Sequence, residues 1–303
     1  ANSLLIALAA PLKRVFHRPV CCTLQGEELF LDTLVSPYRE KAIALIRDQS
    51  NEIDRFVAVS EYCARFMASY LGIPSSRISV VPLGINMDGY EPGTRNQESG
   101  ASVQAPFTVG YFARVAPEKG LHLLADAYVR LRRQTMPAPM RLEVAGYLPR
   151  ANKSYLDAVR QVLGRAGLGS EFTYRGELDR AGKLAFLRQL DVLSVPATYD
   201  EPKGMFLLEA MASGVPIVQP RRGSFVEVVE RTGGGLLVAA DDPGALAEGL
   251  HVMWSSPARR ATLAERASHG VRTHYTVAQS ADRLLEVYAS VLGRASSSGL
   301  SVA

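Results

Sequence analysis

Six short apolar segments alternate with segments of helical periodicity in the second part of the chain. An apolar segment of this length is typical of a buried strand, and apolar residues three or four positions apart are typical of a helix. The alternation predicts a doubly wound parallel sheet, because each crossover places a helix on a face of the sheet. The predicted strands are residues 107–113, 141–146, 171–176, 191–197, 216–220 and 234–238, and the helices between them are residues 121–133, 154–166, 181–189, 206–213 and 225–230.

The first part of the chain shows the same alternation with only three strands. Three parallel strands leave an open sheet edge, so we expect the first domain to be incomplete in this chain. The predicted strands are residues 19–24, 55–60 and 77–84, and the helices are residues 3–16, 38–49 and 61–71. The resulting division is a partial N-terminal Rossmann-like domain (1–86), a linker rich in Gly, Asn, Ser and Pro (87–106), a C-terminal Rossmann-like domain (107–271), and a final helix with a tail (272–303).

The composition is that of an ordinary globular protein, with 47% hydrophobic and 21% charged residues among 303 and a net charge of +4. This small excess suits an anionic ligand or a membrane surface. The basic stretches lack interleaved aromatic residues, so no nucleic-acid partner is expected. Cys21, Cys22 and Cys63 form neither a metal-binding spacing nor an even disulfide set. We therefore expect a protein of a reducing compartment, cytoplasmic by default, with peripheral membrane contact as a further possibility.

The loop after the first strand of the larger set carries two cations. In "ARVAPEKGL", Arg114 and Lys119 lie five positions apart across a turn that contains Pro117 and Gly120. Ligands of parallel sheets bind beyond the carboxyl ends of the strands. Two cations there can clamp a diphosphate, and the N-terminus of the next helix adds backbone N–H donors. A solvated charged loop would show the same residues, so this stretch alone leaves both interpretations open.

The stretch "YDEPKGMFLLEAMASGVPIV", residues 199–218, follows the fourth strand of the larger set and carries Glu201 and Glu209 on either side of Gly204. Glu209 falls about one turn into a predicted helix among apolar residues, where a carboxylate is unfavourable unless it accepts hydrogen bonds. The vicinal hydroxyls of a ribose would supply two donors, and Glu201 would reach further out towards a sugar. A capping acid and a salt-bridged Glu are the alternative for either residue alone. Together with the Arg114 loop, the two acids favour a binding site.

These stretches resemble the donor-binding domain of the retaining glycosyltransferases of family 4, also called group 1. "EPKGMFLLE" matches the Glu-x7-Glu motif of that family from Glu201 to Glu209. "ARVAPEKG" is similar to its G-R-x-x-P-E-K-G loop, with Ala113 in place of the Gly, and "SFVEVVERTGGGLLVAADDP" resembles its later pattern, with Val226 in place of a Pro. The ordered set runs from Val57 to Tyr288. The resemblance implies an α/β protein of the GT-B fold, with two Rossmann-like domains of which the first is incomplete.

The resemblance further implies a UDP- or GDP-linked sugar as the donor and a glycan, a lipid or a small molecule as the acceptor. Transfer would retain the anomeric configuration, because the diphosphate leaves as the acceptor enters on the same face, and it would use no metal and no separate cofactor. The implied roles are diphosphate binding and leaving-group stabilisation by Arg114 and Lys119, contact with the sugar and phosphate by Glu201 and the amides of Gly204, Met205 and Phe206, ribose binding by Glu209, and base binding near Gly176 and Leu178.

Gln25 departs from the family pattern, since family members commonly carry a His just after the strand that residues 19–24 resemble, near the acceptor and the reacting carbon. A Gln side chain cannot titrate, so either Glu27 or Glu28 contributes acid–base chemistry, or Gln25 only hydrogen-bonds the sugar. The glycine-rich loop at the start of the family's first domain has no counterpart in this sequence. We therefore expect this chain to bind the donor without appreciable transfer, because transfer needs both substrates held in position.

Two other functions stay open on the sequence. A non-catalytic nucleotide-sugar-binding protein fits Gln25 and the incomplete first domain, whereas a GT-B sugar-nucleotide epimerase is disfavoured by the Glu-x7-Glu and "PEKG" stretches. Turnover of a sugar nucleotide distinguishes the first alternative from a transferase, and formation of an epimerised donor identifies the second.

Overall fold

The computed structural model describes residues 2–91 and 105–298. The chain divides into two compact units, the first formed by residues 1–84 with residues 275–303 and the second by residues 85–274. Each unit has its own parallel sheet. Most of the predicted linker, residues 92–104, lies outside the described residues, and the four-part division of the chain stays a prediction.

The first unit contains a three-stranded parallel sheet in the order β1–β2–β3. The sequential order follows from two helical crossovers in the same direction, each of which returns the chain to the next strand. The alternation of the sequence predicted all three strands, which are β1 (Cys21–Leu24), β2 (Arg55–Ala58) and β3 (Ile78–Val80).

Helices of the first unit bury apolar faces against this sheet, with Leu24, Phe56 and Met67 among the fully buried side chains. The predicted helix over residues 3–16 is divided into a 3-10 segment, Ser3–Leu8, and an α-helix. Pro11 has no N–H to donate to the carbonyl four residues earlier, so one continuous α-helix would lack a hydrogen bond there. The helices are α1 (Ala9–Phe16), α2 (Glu28–Leu31), α3 (Tyr38–Gln49) and α4 (Glu61–Leu71), with the later α12 (Val277–Ser298) also assigned to this unit.

The second unit contains a six-stranded parallel sheet in the order β6–β5–β4–β7–β8–β9. The chain builds outward from β4 in one direction and then returns to the other side of β4 with β7, so the strand order reverses between these two central strands. This order confirms the doubly wound parallel sheet that the sequence predicted. The strands are β4 (Phe107–Phe112), β5 (Met140–Ala145), β6 (Phe172–Tyr174), β7 (Val192–Leu193), β8 (Ile217–Pro220) and β9 (Gly235–Val238).

Helices connect successive strands of the second unit and enclose its apolar core, which includes the fully buried Tyr111, Tyr128 and Phe225. Five of these helices correspond to predicted segments, and two further helices follow β9. The helices are α5 (Leu121–Thr135), α6 (Lys153–Arg165), α7 (Arg180–Arg188), α8 (Met205–Ala212), α9 (Phe225–Thr232), α10 (Pro243–Ser255) and α11 (Pro257–His274).

Candidate active site

The loops that follow β4 and β7 are packed directly against each other, because these two strands are neighbours in the sheet. The N–H of Thr198 donates to the carbonyl of Glu118 at 2.9 Å. Gly120 has φ +74°, and a Cβ atom on it would lie 1.9 Å from the carbonyl oxygen of Pro196. Only glycine tolerates both the left-handed backbone and this close approach. The reversal of strand order therefore places the two predicted donor-binding loops side by side.

Lys119 and Glu201 form an ion pair between these loops, with Nζ of Lys119 2.5 Å from Oε2 of Glu201. The Tyr199 hydroxyl accepts a hydrogen bond from Lys119 and donates one to the same carboxylate oxygen. The Lys119 ammonium also lies 4.8 Å from the centre of the Tyr199 ring and 5.6 Å from that of Phe206, within the range of cation–π attraction. Lys119 is thus held by a carboxylate, a hydroxyl and two aromatic rings.

Glu201 is 6% exposed, so its charge depends on its partners. Burial alone raises the pKa of the Glu201 carboxyl, but the charge of Lys119 and hydrogen bonds from Lys119, Tyr199 and the Lys203 N–H outweigh it, and the resulting pKa is lowered. The opposite effect holds for Tyr199, whose pKa is raised by burial and by the negative charge of Glu201. Glu201 is therefore an ionised acceptor at neutral pH, and Tyr199 keeps the proton that it donates.

The backbone of Glu201 is fixed by the turn that precedes α9. The N–H of Ser224 donates to the carbonyl of Glu201 at 2.8 Å. Gly223 has φ +51°, and a Cβ atom there would lie 2.6 Å from both the nitrogen and the oxygen of Glu201. The loop after β8 therefore holds the loop after β7 in place.

Arg114 differs from Lys119 in its surroundings, although both residues come from one loop. Its side chain is 51% exposed and pairs with Glu118, with Nη2 2.5 Å from Oε1. An exposed pair of this kind contributes little to stability, so the guanidinium can turn to an incoming anion at small energetic expense.

The N-terminus of α8 begins at Gly204, which has φ +64° and lies directly after the Glu201 loop. No side chain caps this helix within the described residues, and the N–H of Leu207 donates to the carbonyl of Gly204 at 2.9 Å. The preceding amides of Met205 and Phe206 belong to the first turn, where helical N–H groups have no partner inside the helix. Together with the helix dipole, these amides make the position favourable for an anion such as phosphate.

Glu209, in the same helix, accepts two hydrogen bonds from outside it. Nζ of Lys183 donates to Oε1 at 2.6 Å and the Tyr90 hydroxyl donates to the same atom at 3.1 Å. The Glu209 side chain is 18% exposed. Burial lowers the pKa of Lys183, but hydrogen bonds to Glu209 and Tyr90 and the charge of Glu209 raise it above its ordinary value. Lys183 is therefore charged at neutral pH.

The predicted base-binding loop follows β6, which is an edge strand separated from β4 by β5. Gly176 has φ +76° with open space where a side chain would begin, and Leu178 follows it on a half-buried turn. The side chain of Asp179 then caps α7 by accepting from the N–H of Gly182 at 2.7 Å. Lys183 comes next, so α7 connects the predicted base loop with the predicted ribose carboxylate.

Gln25 and Glu27 belong to the first unit, at the end of β1. The N–H of Gln25 donates to Oε2 of Glu27 at 2.8 Å, and Gly26 between them has φ +99°. Gln25 is exposed, whereas Glu27 and Glu28 are 7% and 6% exposed. Among the described residues, Oε1 of Glu27 has no hydrogen-bond partner. The catalytic roles predicted for Gln25 and Glu27 stay predictions, as do those of the donor-site residues.

Three residues of this site were not predicted from the sequence. Tyr199 lies two positions before Glu201, so its nearness to the motif was the available signal. Lys183 follows the predicted base loop within α7, but no spacing rule connects it with Glu209. Tyr90 offered no signal, because it is 119 positions away from the carboxylate that it contacts.

Residues 2–91 and 105–298 contain neither a clustered metal site nor a helix that could span a membrane. No three His, Cys, Asp or Glu side chains there are grouped as a metal site. No helix in these ranges combines the length and the apolar character needed to cross a bilayer. The predicted independence from metal stays a prediction.

Family models match both parts of the chain. Residues 94–270 match the model described as glycosyl transferases group 1, and residues 1–88 match the one described as glycosyltransferase family 4. The chain belongs to the group 1 glycosyltransferases. This confirms the family that the Glu-x7-Glu and "PEKG" stretches indicated.

Curated relatives of this group 1 chain include three bacterial enzymes. The D-inositol 3-phosphate glycosyltransferase of Nocardia farcinica (strain IFM 10152) is 27% identical over 245 residues, which are 80% of this chain and 53% of the relative. The phosphatidyl-myo-inositol mannosyltransferase of Mycobacterium tuberculosis (strain ATCC 25618 / H37Rv) is 27% identical, with 82% and 63% covered. The lipopolysaccharide core biosynthesis mannosyltransferase LpsB of Rhizobium meliloti (strain 1021) is 28% identical, with 74% and 63% covered. The chain thus spans between half and two thirds of these relatives.

Solved structures similar to the group 1 chain share its fold. Anabaena Alr3699/HepE in complex with UDP has a TM-score of 0.82 at 21% identity, with 95% of this chain and 77% of that chain covered. The sucrose-phosphate synthase of Thermosynechococcus elongatus has a TM-score of 0.79 at 19% identity, with 97% and 73% covered. These similarities confirm the predicted GT-B fold class.

Proposed function

We propose that this chain is part of a retaining glycosyltransferase that moves a sugar from UDP or GDP to a hydroxyl of an acceptor, without a metal ion or a separate cofactor. The observation that carries the proposal is the Lys119–Glu201 ion pair, with Tyr199 bridging it, at the carboxyl ends of β4 and β7. The open N-terminus of α8 lies on the same loop, and Glu209 lies one turn further on. The site thus offers a carboxylate (Glu201) for the sugar, a cation and backbone amides for the diphosphate, and a second carboxylate (Glu209) for the ribose.

The diphosphate would bind between the first amides of α8 and the two cations of the β4 loop. Arg114 is exposed and only weakly paired, so it can contribute a charge-assisted hydrogen bond to an incoming phosphate. Lys119 is already fixed at the site and needs little reorganisation. As the bond to the sugar breaks, negative charge grows on the leaving diphosphate, and prearranged donors stabilise that charge.

Glu201 would accept hydrogen bonds from hydroxyls of the transferred sugar. Its lowered pKa leaves no proton to give at neutral pH, so it is an electrostatic and orienting group and not a general acid. Departure of the diphosphate leaves positive charge at the reacting carbon, which a nearby carboxylate favours. The acceptor hydroxyl would then attack from the face that the diphosphate leaves and pass its proton to an oxygen of the leaving diphosphate, so the anomeric configuration would be retained.

The names of similar proteins support this choice of substrates. Two of the relatives are named for mannosyl transfer and one for transfer to D-inositol 3-phosphate, and structures of Anabaena Alr3699/HepE hold UDP, UDP-glucose, or UDP with glucose. We therefore propose a UDP- or GDP-linked hexose as the donor and a polyol, a glycan or a lipid headgroup as the acceptor. All three acceptor classes present hydroxyl groups.

Calorimetry with UDP, GDP and their hexose conjugates tests the proposal. One of the two diphosphates is expected to bind, and Glu209→Gln is expected to weaken it about tenfold or more, because a hydrogen bond to a charged group is lost. Glu248→Gln, an exposed carboxylate on α10, is the matched control. Absence of binding to both diphosphates, or equal binding by Glu209→Gln and the control, would contradict the proposal.

Release of UDP or GDP from the sugar conjugate then separates transfer from mere binding. Release that depends on an added inositol or sugar acceptor is expected of a transferase. This chain alone is expected to bind the donor without appreciable transfer, so the release assay is made on the full-length gene product. Tight donor binding by that protein with no release under any acceptor would favour a non-catalytic nucleotide-sugar-binding protein instead. Recovery of an epimerised donor would favour an epimerase.

We also propose that the enzyme meets its acceptor at a membrane surface through α1. The helix and the preceding segment expose Leu8, Leu12, Val15 and Phe16, of which Val15 is 69% and Phe16 63% exposed. Arg14, His17 and Arg18 are exposed beside them. Apolar side chains next to cationic ones are characteristic of helices that lie in the interface of an anionic bilayer.

A further inference from the structure

The two carboxylate oxygens of Glu209 differ in their hydrogen bonds within the described residues. The donors from Lys183 and Tyr90 both point to Oε1, at 2.6 and 3.1 Å. Within residues 2–91 and 105–298, Oε2 accepts no hydrogen bond. The side chain is 18% exposed, so this oxygen can be reached from outside. A carboxylate fixed in this way offers one prearranged acceptor.

Tyr90 is buried, and the backbone of its segment is held by hydrogen bonds from arginine side chains. It is 2% exposed, and three arginine side chains donate to three successive backbone carbonyls of its segment. These contacts are Arg180 to Asp88 at 2.6 Å, Arg188 to Gly89 at 2.9 Å, and Arg272 to Tyr90. Gly89 has φ +75°, and a Cβ atom there would lie 2.8 Å from Cδ1 of Leu184. The segment is thus fastened to α7 and α11, and it holds the Tyr90 hydroxyl against Glu209.

Lys183 is held from the same side. Its ammonium lies 5.8 Å from the centre of the Tyr90 ring, and the guanidinium of Arg180, one helical turn earlier, lies 5.7 Å from it. The stem of Lys183 projects from α7, whose N-terminus is capped by Asp179. The position of the Lys183 ammonium is therefore restricted by the capped helix that carries it and by its contact with the Tyr90 ring.

We propose that Lys183 and Tyr90 are positioning residues for nucleotide recognition, which occupy Oε1 of Glu209 and turn Oε2 towards one ribose hydroxyl. The inference rests on the proposed function, because it takes the ligand of Glu209 to be a ribose. Loss of either donor frees the carboxylate to rotate, so the preference for a ribose hydroxyl falls even though Glu209 itself is intact.

The measurement is the ratio of dissociation constants for a nucleoside diphosphate and its 2′-deoxy and 3′-deoxy forms. The ligand is whichever of UDP and GDP binds the unmodified chain more tightly. The unmodified chain is expected to prefer the ribose form about tenfold over at least one deoxy form, the effect of one hydrogen bond to a charged group. Lys183→Met and Tyr90→Phe are each expected to reduce this preference to about twofold or less.

The deoxy comparison separates positioning from a purely structural role. A structural effect weakens the ribose and deoxy forms by the same factor, so an unchanged ratio in both variants would overturn the inference. Lys153→Met, an exposed lysine at the start of α6, is the matched control and should keep the ratio of the unmodified chain. Tyr90→Phe keeps the buried ring and tests the inference if Lys183→Met does not fold. If the unmodified chain binds neither UDP nor GDP, the proposed function fails, and the inference is overturned with it.

Discussion

Glu201 shows how one residue can serve both the stability and the proposed chemistry of the site. Its carboxylate is buried, its negative charge is balanced by the Lys119 ammonium, and it accepts a hydrogen bond from the Tyr199 hydroxyl. A buried ion pair adds little to stability compared with an apolar replacement, but removal of one partner leaves the other charge buried without compensation. The site therefore depends on both residues together.

Glu201→Gln is expected to lower the free energy of unfolding by about 3 kcal/mol at pH 7, because it leaves the Lys119 ammonium without its carboxylate. The folded pKa of Glu201 lies below its ordinary value of 4.5. The ionised form therefore contributes stability above that value, and the contribution is lost as the pH falls through the lower, folded pKa. The difference between the unmodified chain and Glu201→Gln should shrink towards zero on acidification.

Urea unfolding at pH 7 and at several values below 4.5 measures this difference. Glu118→Gln removes an exposed carboxylate from the same group of loops and should change stability little at any pH. A Glu201→Gln effect that is the same at every pH would show that the ion pair does not have the electrostatic role assigned to it.

At the level of single residues, the sequence predicted candidate side chains for the site but not their surroundings. Arg114 and Lys119 look equivalent in "ARVAPEKG", yet one is half-exposed and the other is enclosed between two loops. That difference depends on the neighbouring strand, which local sequence does not specify. The partners of Glu209 come from residues 26 and 119 positions away, so only the folded chain brings them together.

The elements of the fold were largely predictable where apolar periodicity was strong. Within residues 2–91 and 105–298, the nine strands and the helices between them, except α2, follow from the alternation of apolar segments, and α3 and α4 have the predicted bounds. Helix α2 has only four residues, too few to show a helical period. Helices α10 and α11 lie beyond the last strand, where no further alternation marks them. The "DDP" before α10 is nevertheless a start signal, since Asp242 caps that helix and Pro243 opens it.

Helix α1 is the element on which the membrane proposal is tested. The unmodified chain is expected to float with vesicles that contain anionic phospholipid, less so with zwitterionic vesicles and less at high salt. A Val15→Ser, Phe16→Ser double variant should lose most of this binding, because it removes two of the most exposed apolar side chains of the helix. Leu285→Ser, at an exposed position of α12, is the control. Equal flotation of the double variant and the control would contradict a role for α1.

On the scale of the whole molecule, the second unit owes its site to the order of its strands. Residues 114–119 and 199–209 lie far apart in the sequence and meet because β4 and β7 are neighbours where the strand order reverses. Alternation of strands and helices predicts a parallel sheet but not which strands are adjacent. The strand order of the structure supplies that information, because it places β7 next to β4.

A crystal structure of the chain with bound UDP or GDP tests this account most directly. We expect the diphosphate at the first amides of α8, within hydrogen-bonding distance of Lys119 or Arg114, and one ribose hydroxyl within about 3.2 Å of Oε2 of Glu209. A nucleotide bound away from the loops after β4 and β7, or one whose phosphates contact neither cation nor the α8 amides, would contradict it.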